Sequence, residues 1–463
     1  MDIQNCPSFS GHIGVGRCDI TPPMGIYSRC WGAAEHDIAE GIHRPFCMTV
    51  LALRQALDAS PLILAAMDAS WFVDAGNEQY IRQNTLDALN LDESRLILNL
   101  SHSHACASLC ACHEKKPGGV LIESYVQQVA DALLDASREA IDSARSAVIS
   151  FEETICPMIG NRDLPDPQDE NRIVCGWNPD AQADQTVLVG RVTDNENGKV
   201  IATLVNVACH PTTLAWENHL MSPDFVGAMR QIIEDHTDQA PCLFLQGVSG
   251  ELAPKEQYTG DVQVADRHGR CLGYSVLSAL EAMPPHGCAL TYQGVVESGA
   301  PLGVWRSKSY AASTDIDASM INIELPLCQP DQPAQDKQQP ASRWQDERQL
   351  RAQQVTQKVG AGQTTSMPAW IWRVGDALFV GQPNEPYSDF QQAMRLRFPD
   401  LKIVMMNLCN ADRGVGYICP PQAYDGPQLY QVWQSPFGRQ ALHCLIDGCA
   451  KEIQRLNDSI VHS

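Results

Sequence analysis

Short apolar runs punctuate the first half of the chain at Met48–Leu53, Leu62–Met67, Leu96–Leu100, Val187–Val192, Ile201–Ala208 and Leu243–Gln246. Amphipathic stretches separate them, and that alternation argues for an α/β class. Val126, Val129, Leu133, Ala136 and Ala140 recur at three and four residues, so one helix carries an apolar face. A second helix is expected from Ser222-Pro223-Asp224, with Ser222 as N-cap. Strand-like runs resume at Ala369–Val380 and Lys402–Asn407. Between them and the first half, about 328–365, Gln, Asp, Lys and Ala dominate and read as a surface insertion. The expected architecture is one α/β domain over 1–463, a large mixed sheet with flanking helices.

Composition narrows the partners. Lys plus Arg number 33 against 55 Asp plus Glu, a formal charge of −22. Such a surface repels nucleic acid and anionic bilayers, so neither partner is expected, nor stable membrane association. The N-terminus has no basic segment followed by an apolar one, and no stretch approaches the ~18 apolar residues of a span. Eighteen cysteines without a CxxC pair fit reduced thiols and a cytoplasmic location. Cys106, Cys110 and Cys112, followed by His113, read as loop-packing thiols, with a redox or thiolate-metal site as the rival.

Five motifs carry chemistry. Ser101-His102-Ser103-His104 follows the run Leu96–Leu100, so two imidazoles leave a strand's C-terminal end on one face. That edge is where ligands bind in open α/β sheets, and imidazole is a common metal ligand. His210 ends the run Ile201–Ala208 in the same way and is followed by Pro211. Gly247-Val248-Ser249-Gly250-Glu251 suits close backbone approach, yet it breaks the GxSxG elbow because Glu251 replaces the second glycine. Glu385 stands on a Gly/Pro-bracketed turn, and Tyr417 in the glycine-flexed segment Gly414-Val415-Gly416.

In this order the motifs resemble the neutral ceramidase family from about residue 11 to 445. Gly14-Val15-Gly16-Arg17-Cys18-Asp19-Ile20-Thr21-Pro22-Pro23 is similar to that family's opening, and Gly41-Ile42-His43 and Asn161-Arg162 to two later segments. The resemblance implies zinc held by His102, His210, Glu385 and Tyr417, with His104 as proton-transfer group and Arg162 and Tyr417 near the developing oxyanion. It implies hydrolysis of an N-acyl amide by metal-activated water. Ester or lactone cleavage at the same site is the alternative, and a non-catalytic metal-binding protein the rival. Two departures set this chain apart, Ala253 in the family's serine position and Asn384 in place of the glycine before the acid, and no β-sandwich domain is expected within the 463 residues. The expected substrate is therefore a soluble amide or ester rather than membrane-resident ceramide.

Overall fold

The computed structural model describes residues 3–72, 75–328, 352–360, 362–425 and 429–461. Its largest sheet contains β1 (Phe9–Asp19), β2 (Cys47–Arg54), β3 (Leu62–Met67), β4 (Leu96–Leu100), β5 (Arg145–Ile155), β6 (Thr186–Asp194), β7 (Val200–Val207) and β8 (Cys242–Gln246). They lie in the order β8-β7-β6-β5-β1-β2-β3-β4. The outer pairs β3–β4 and β7–β8 are parallel, and the pairs between them antiparallel. A second sheet orders β9 (Ile316–Pro326), β10 (Thr364–Val374), β11 (Ala377–Gly381) and β12 (Lys402–Met406) side by side, with β11–β12 parallel.

Side-chain alternation along these strands builds four layers. Leu51, Leu62, Leu64, Ile97 and Leu243 meet Trp370, Trp372 and Phe379 between the two sheets. Their neighbours Val50, Ile63 and Leu98 turn onto α1 (Ala75–Leu89) and α2 (Ile122–Asp142). Val205 and Phe244 turn onto α3 (Phe225–His236) and α4 (Val262–Ala282). Ala369, Ile371 and Val380 pack outward on α5 (Asp389–Arg397) and α6 (Ala441–Val461). The apolar face read for α2 is buried at all five of its marker positions.

Two local expectations need correction, at the run Ala369–Val380 and at the start of α3, and two other segments are filled in. Gly14 and Gly16 lie inside β1, directly under α2; an added Cβ would fall 2.0 Å from Ala140 O and 2.1 Å from Ala136 O. The run Ala369–Val380 is not one strand, because the chain folds back at Gly375, φ +57°, into the hairpin β10–β11. Helix α3 starts at Phe225, two residues later than the Ser222 cap implied. Asp224 (φ +54°) breaks the helical path and caps it, Oδ1 accepting from Phe225 N at 2.6 Å. Ser222 Oγ instead accepts from Asp224 N. Residues 329–351 and 361 of the expected insertion lie outside the described residues. Its described part, 352–359, is a helix with one exposed face and with Val355 and Val359 partly buried against the outer core.

The eight-stranded sheet curls until β8 touches β3 and β4, the opposite edge. Backbone groups there cannot all pair with a flat neighbour, and buried asparagines pair with them instead. Asn99 accepts from Gln246 N at 2.8 Å and donates to Asn407 O. Asn206 donates to Leu245 O at 3.0 Å and Met405 O at 2.8 Å. Asn410 accepts from Leu98 N and donates to Leu96 O, both at 2.8 Å. Replacing Asn99 with Ala orphans a buried donor and a buried acceptor at once. Chemical denaturation should register a loss of about 2–5 kcal/mol, since each orphan costs about 1–3 kcal/mol. A loss below about 1 kcal/mol would show that the amide does not bind the two edges together.

Candidate metal centre

Because the sheet is curled, the exits of β4 and β7 converge, and β11 and β12 of the second sheet end at the same place. His102 and His104 come off β4, but not along a continued strand. The strand ends at Leu100, and His102 takes the left-handed conformation, φ +68°, rare for a residue with a Cβ. That turn brings the two Nε2 atoms to 3.4 Å. His210 arrives from β7, fully buried. The glycines of the β8 exit loop allow the contacts around it. A Cβ on Gly247 would sit 2.8 Å from Ala208 N, and one on Gly250 2.9 Å from Pro386 O and 3.0 Å from Glu385 O.

Glu385 and Tyr417 face each other in a short parallel pairing. Asn384, standing where a glycine was expected, ties these two loops: its Oδ1 accepts from Val415 N at 3.0 Å and its N–H donates to Gln382 Oε1 at 2.8 Å. One ring nitrogen from each of His102, His104 and His210 lies within 4.8 Å of the others. Glu385 Oε2 is 3.2 Å from His102 Nε2 and 2.9 Å from His210 Nε2. Arg162 Nη2 donates to Gly250 O at 2.8 Å and Tyr417 Oη at 3.0 Å, and reaches His210 Nε2 at 3.3 Å.

The outward nitrogens decide the protonation. His210 Nδ1 faces Ser249 O at 2.7 Å and Leu252 O at 3.2 Å, and His102 Nδ1 faces Ser70 O at 3.2 Å. Carbonyls only accept, so both rings carry Nδ1–H, and in the neutral ring Nε2 presents a lone pair. Burial and then Arg162 push His210 down to about 3. Burial works to raise the Glu385 carboxyl, but His102 and His210 outweigh it and hold it well below the usual range. Burial and neighbouring His102 keep His104 neutral, and burial with Glu385 raises the Tyr417 phenol. The Nε2 lone pair of neutral His210 thus faces the Glu385 carboxylate at 2.9 Å. A cation between these two acceptors would satisfy both, and the cluster of histidines fits a metal ion.

Other expectations sort themselves against this geometry. Ser249 Oγ accepts from Gln246 Nε2 at 2.8 Å, so it serves the loop and not the cluster. Cys106 Sγ donates to Ser103 O at 2.9 Å. Among the described residues the three histidines are the one group placed to hold a metal ion, and the cysteines form none. No cysteine is in a disulfide. Sequence reading missed Trp31 and Trp71, whose rings flank His104 at 5.2 and 5.1 Å. It also missed Asp163, which accepts from Gln431 at 2.8 Å and Tyr387 at 3.0 Å behind Arg162. Its place directly after Arg162 was a usable signal; the tryptophans offered none.

A narrow pocket, about 60 Å³, runs from Glu385 and Tyr417 past Trp71, Phe72 and Leu408 to Val355 on helix 352–359. A smaller one, about 20 Å³, reaches His104 from the side of Trp31, His36 and His219. Among the described residues no helix is long and apolar enough to cross a membrane.

Curled sheet, second sheet and outer helices together define the neutral ceramidase fold. A ceramidase complexed with C2 aligns at a TM-score of 0.69 and 14% identity, over 96% of this chain and 76% of that one. The neutral ceramidase from Pseudomonas aeruginosa aligns at 0.68 and 15%, over 96% and 74%. At such identities the likeness is one of fold. No protein-family model and no curated protein matches the sequence.

Ser249→Ala tests the reading of the loop. The variant should keep its metal content and lose about 1 kcal/mol of stability, the typical value of one hydrogen bond. A substrate-derived covalent adduct on Ser249 would contradict it.

Proposed function

We propose that the chain is a metal-dependent hydrolase, zinc being the metal, that cleaves an N-acyl amide bond of a soluble substrate. The observation that carries this reading is the acceptor-rich contact of Glu385 Oε2 with two imidazole nitrogens at 2.9 and 3.2 Å. His102, His210 and Glu385 hold the ion, and Tyr417 completes the set. A cation of this kind supplies Lewis acidity that polarises a carbonyl and brings the pKa of water to about 7.

The remaining steps belong to the chain's own groups. His104, neutral and walled by Trp31 and Trp71, takes a proton from the attacking water and returns one to the leaving nitrogen, a role worth about 10²–10⁴ in rate. It meets His102 but is not among the residues that hydrogen-bond Glu385, which separates it from the two ligand histidines. Arg162, fixed by Gly250 O and Tyr417 Oη, directs positive charge toward the carbonyl oxygen as it becomes negative. Trp71, Phe72 and Leu408 give the larger pocket an apolar wall that suits an acyl chain. A net charge of −22 opposes work at anionic bilayers, which favours a substrate met in solution.

Two measurements test the assignment. His104→Ala should retain about one zinc per chain by elemental analysis while turnover falls about 10²–10⁴-fold; equal loss of zinc in His104→Ala and His102→Ala would make His104 a ligand. On substrates, kcat/KM for water-soluble N-acyl amines should exceed that for long-chain ceramide in detergent. Efficient ceramide turnover with an inert soluble panel would overturn the substrate class, and turnover confined to esters or lactones would overturn the amide.

A further inference from the structure

Glu251, the acid that breaks the serine-elbow pattern, is 5% exposed and takes no part in the reaction described above. Its loop follows β8 and serves the site through one backbone group after another. Ser249 O and Leu252 O face the His210 ring, and Leu252 O also accepts from His210 N at 2.9 Å. Gly250 O accepts from Arg162 Nη2, and Glu251 O from Arg162 N, both at 2.8 Å. His210 and Arg162 are therefore fixed by this loop. Glu385 comes from elsewhere, the turn after β11, and its segment has two edges. One edge pairs with the Tyr417 strand: Glu385 N donates to Gly416 O and Tyr387 N to Ile418 O, both at 3.1 Å. The other edge meets the β8 loop, where Gly250 N donates to Pro386 O at 2.9 Å. On that same edge the Glu251 carboxylate clamps Ser388. Its oxygens accept from Ser388 N at 3.1 and 3.0 Å, and Oε1 also accepts from Ser388 Oγ. Ser388 is the N-cap residue of α5, so the clamp takes a backbone N–H at the positive end of that helix, where a carboxylate is favoured. Gln392, in the first turn, donates to Ser388 Oγ at 3.0 Å, which leaves the hydroxyl proton for Glu251.

We propose, on the metal-dependent reading above, that Glu251 is a positioning residue: by holding Ser388 against the β8 loop it sets how closely Glu385 approaches His210, and with that the affinity for zinc. Loss of the clamp leaves Glu385 paired to the Tyr417 strand but loosens it from the loop that fixes His210. The Glu385–His210 contact of 2.9 Å is then the one that opens. Support of a ligand from behind is worth about 10–100-fold in metal affinity where it is direct. Here it acts through three residues of backbone, and the lower end applies. A carboxylate that only capped α5 would change stability and leave the centre as it was.

The test titrates zinc into the full chain, stripped of metal, in competition with a chromophoric chelator. Glu251→Ala should bind zinc on the order of tenfold more weakly than the unsubstituted protein. Ser388→Ala, which keeps the carboxylate and removes one of its donors, should bind about threefold more weakly. Glu251→Gln keeps an acceptor for Ser388 and should regain most of the loss. Tyr125→Phe is the control, because it forfeits a buried bond on α2, from Tyr125 Oη to Ile20 O at 2.7 Å. It should unfold more easily while its zinc affinity stays within about twofold. Zinc binding in both Glu251→Ala and Ser388→Ala within about twofold of the unsubstituted protein would reduce Glu251 to a cap and overturn the proposal. Equal weakening in Tyr125→Phe would overturn it as well, because affinity would then follow stability alone. An unsubstituted chain that binds no zinc would remove the metal-dependent reading and the proposal with it, a result distinct from the other two.

Discussion

Closing a curled sheet on itself is the constraint from which the rest follows. Strands β4 and β8 are opposite edges of one sheet, and their backbone groups must find partners where they meet and where they meet the second sheet. Asn99, Asn206 and Asn410 solve this with side-chain amides, each offering a donor and an acceptor in one rigid group. An apolar residue at any of these positions would fit the surrounding core better but leave the backbone unsatisfied. Once the edges are joined, the chain segments leaving β4, β7, β8, β11 and β12 emerge together. The site is a consequence of that closure.

The convergence is held against local cost. His102 adopts a left-handed backbone that a side chain with a Cβ takes only under constraint. His210 and Arg162 are buried and Glu385 lies half-buried beside them, a combination that destabilises unless every group is paired. The pairing is organised from outside inward. Backbone carbonyls take the Nδ1 protons, Gly250 O and Tyr417 take Arg162, and Asn384 fixes the two loops that carry Glu385 and Tyr417. What stays unbalanced is the contact of Glu385 Oε2 with Nε2 of neutral His210, where one acceptor faces another. A fold seldom builds such a contact without a cation to occupy it.

Much of this was legible before any coordinates. The runs Leu62–Met67 and Leu96–Leu100 are strands over those residues, since strands buried on both faces read as continuous apolar stretches. Histidines and the acid directly after such runs were correctly placed at strand ends. Strand β1 was less legible because its glycines, required by the close approach of α2, look like loop residues. The hairpin at Gly375 was hidden inside one apolar run. The start of α3 was misread because Ser-Pro-Asp satisfies the usual capping preferences, whereas tertiary contacts of Asp224 with Leu214 N moved the cap. Trp31 and Trp71 join the site through tertiary contacts that no local pattern encodes.

Anomalous diffraction at the zinc absorption edge, from crystals of the untreated protein, tests the account most directly. The predicted result is one strong peak between His102, His210 and Glu385, about 2.0–2.2 Å from each ligating nitrogen and oxygen. A map without a peak there, with Glu385 and the two imidazoles still in contact through shared protons, would contradict it.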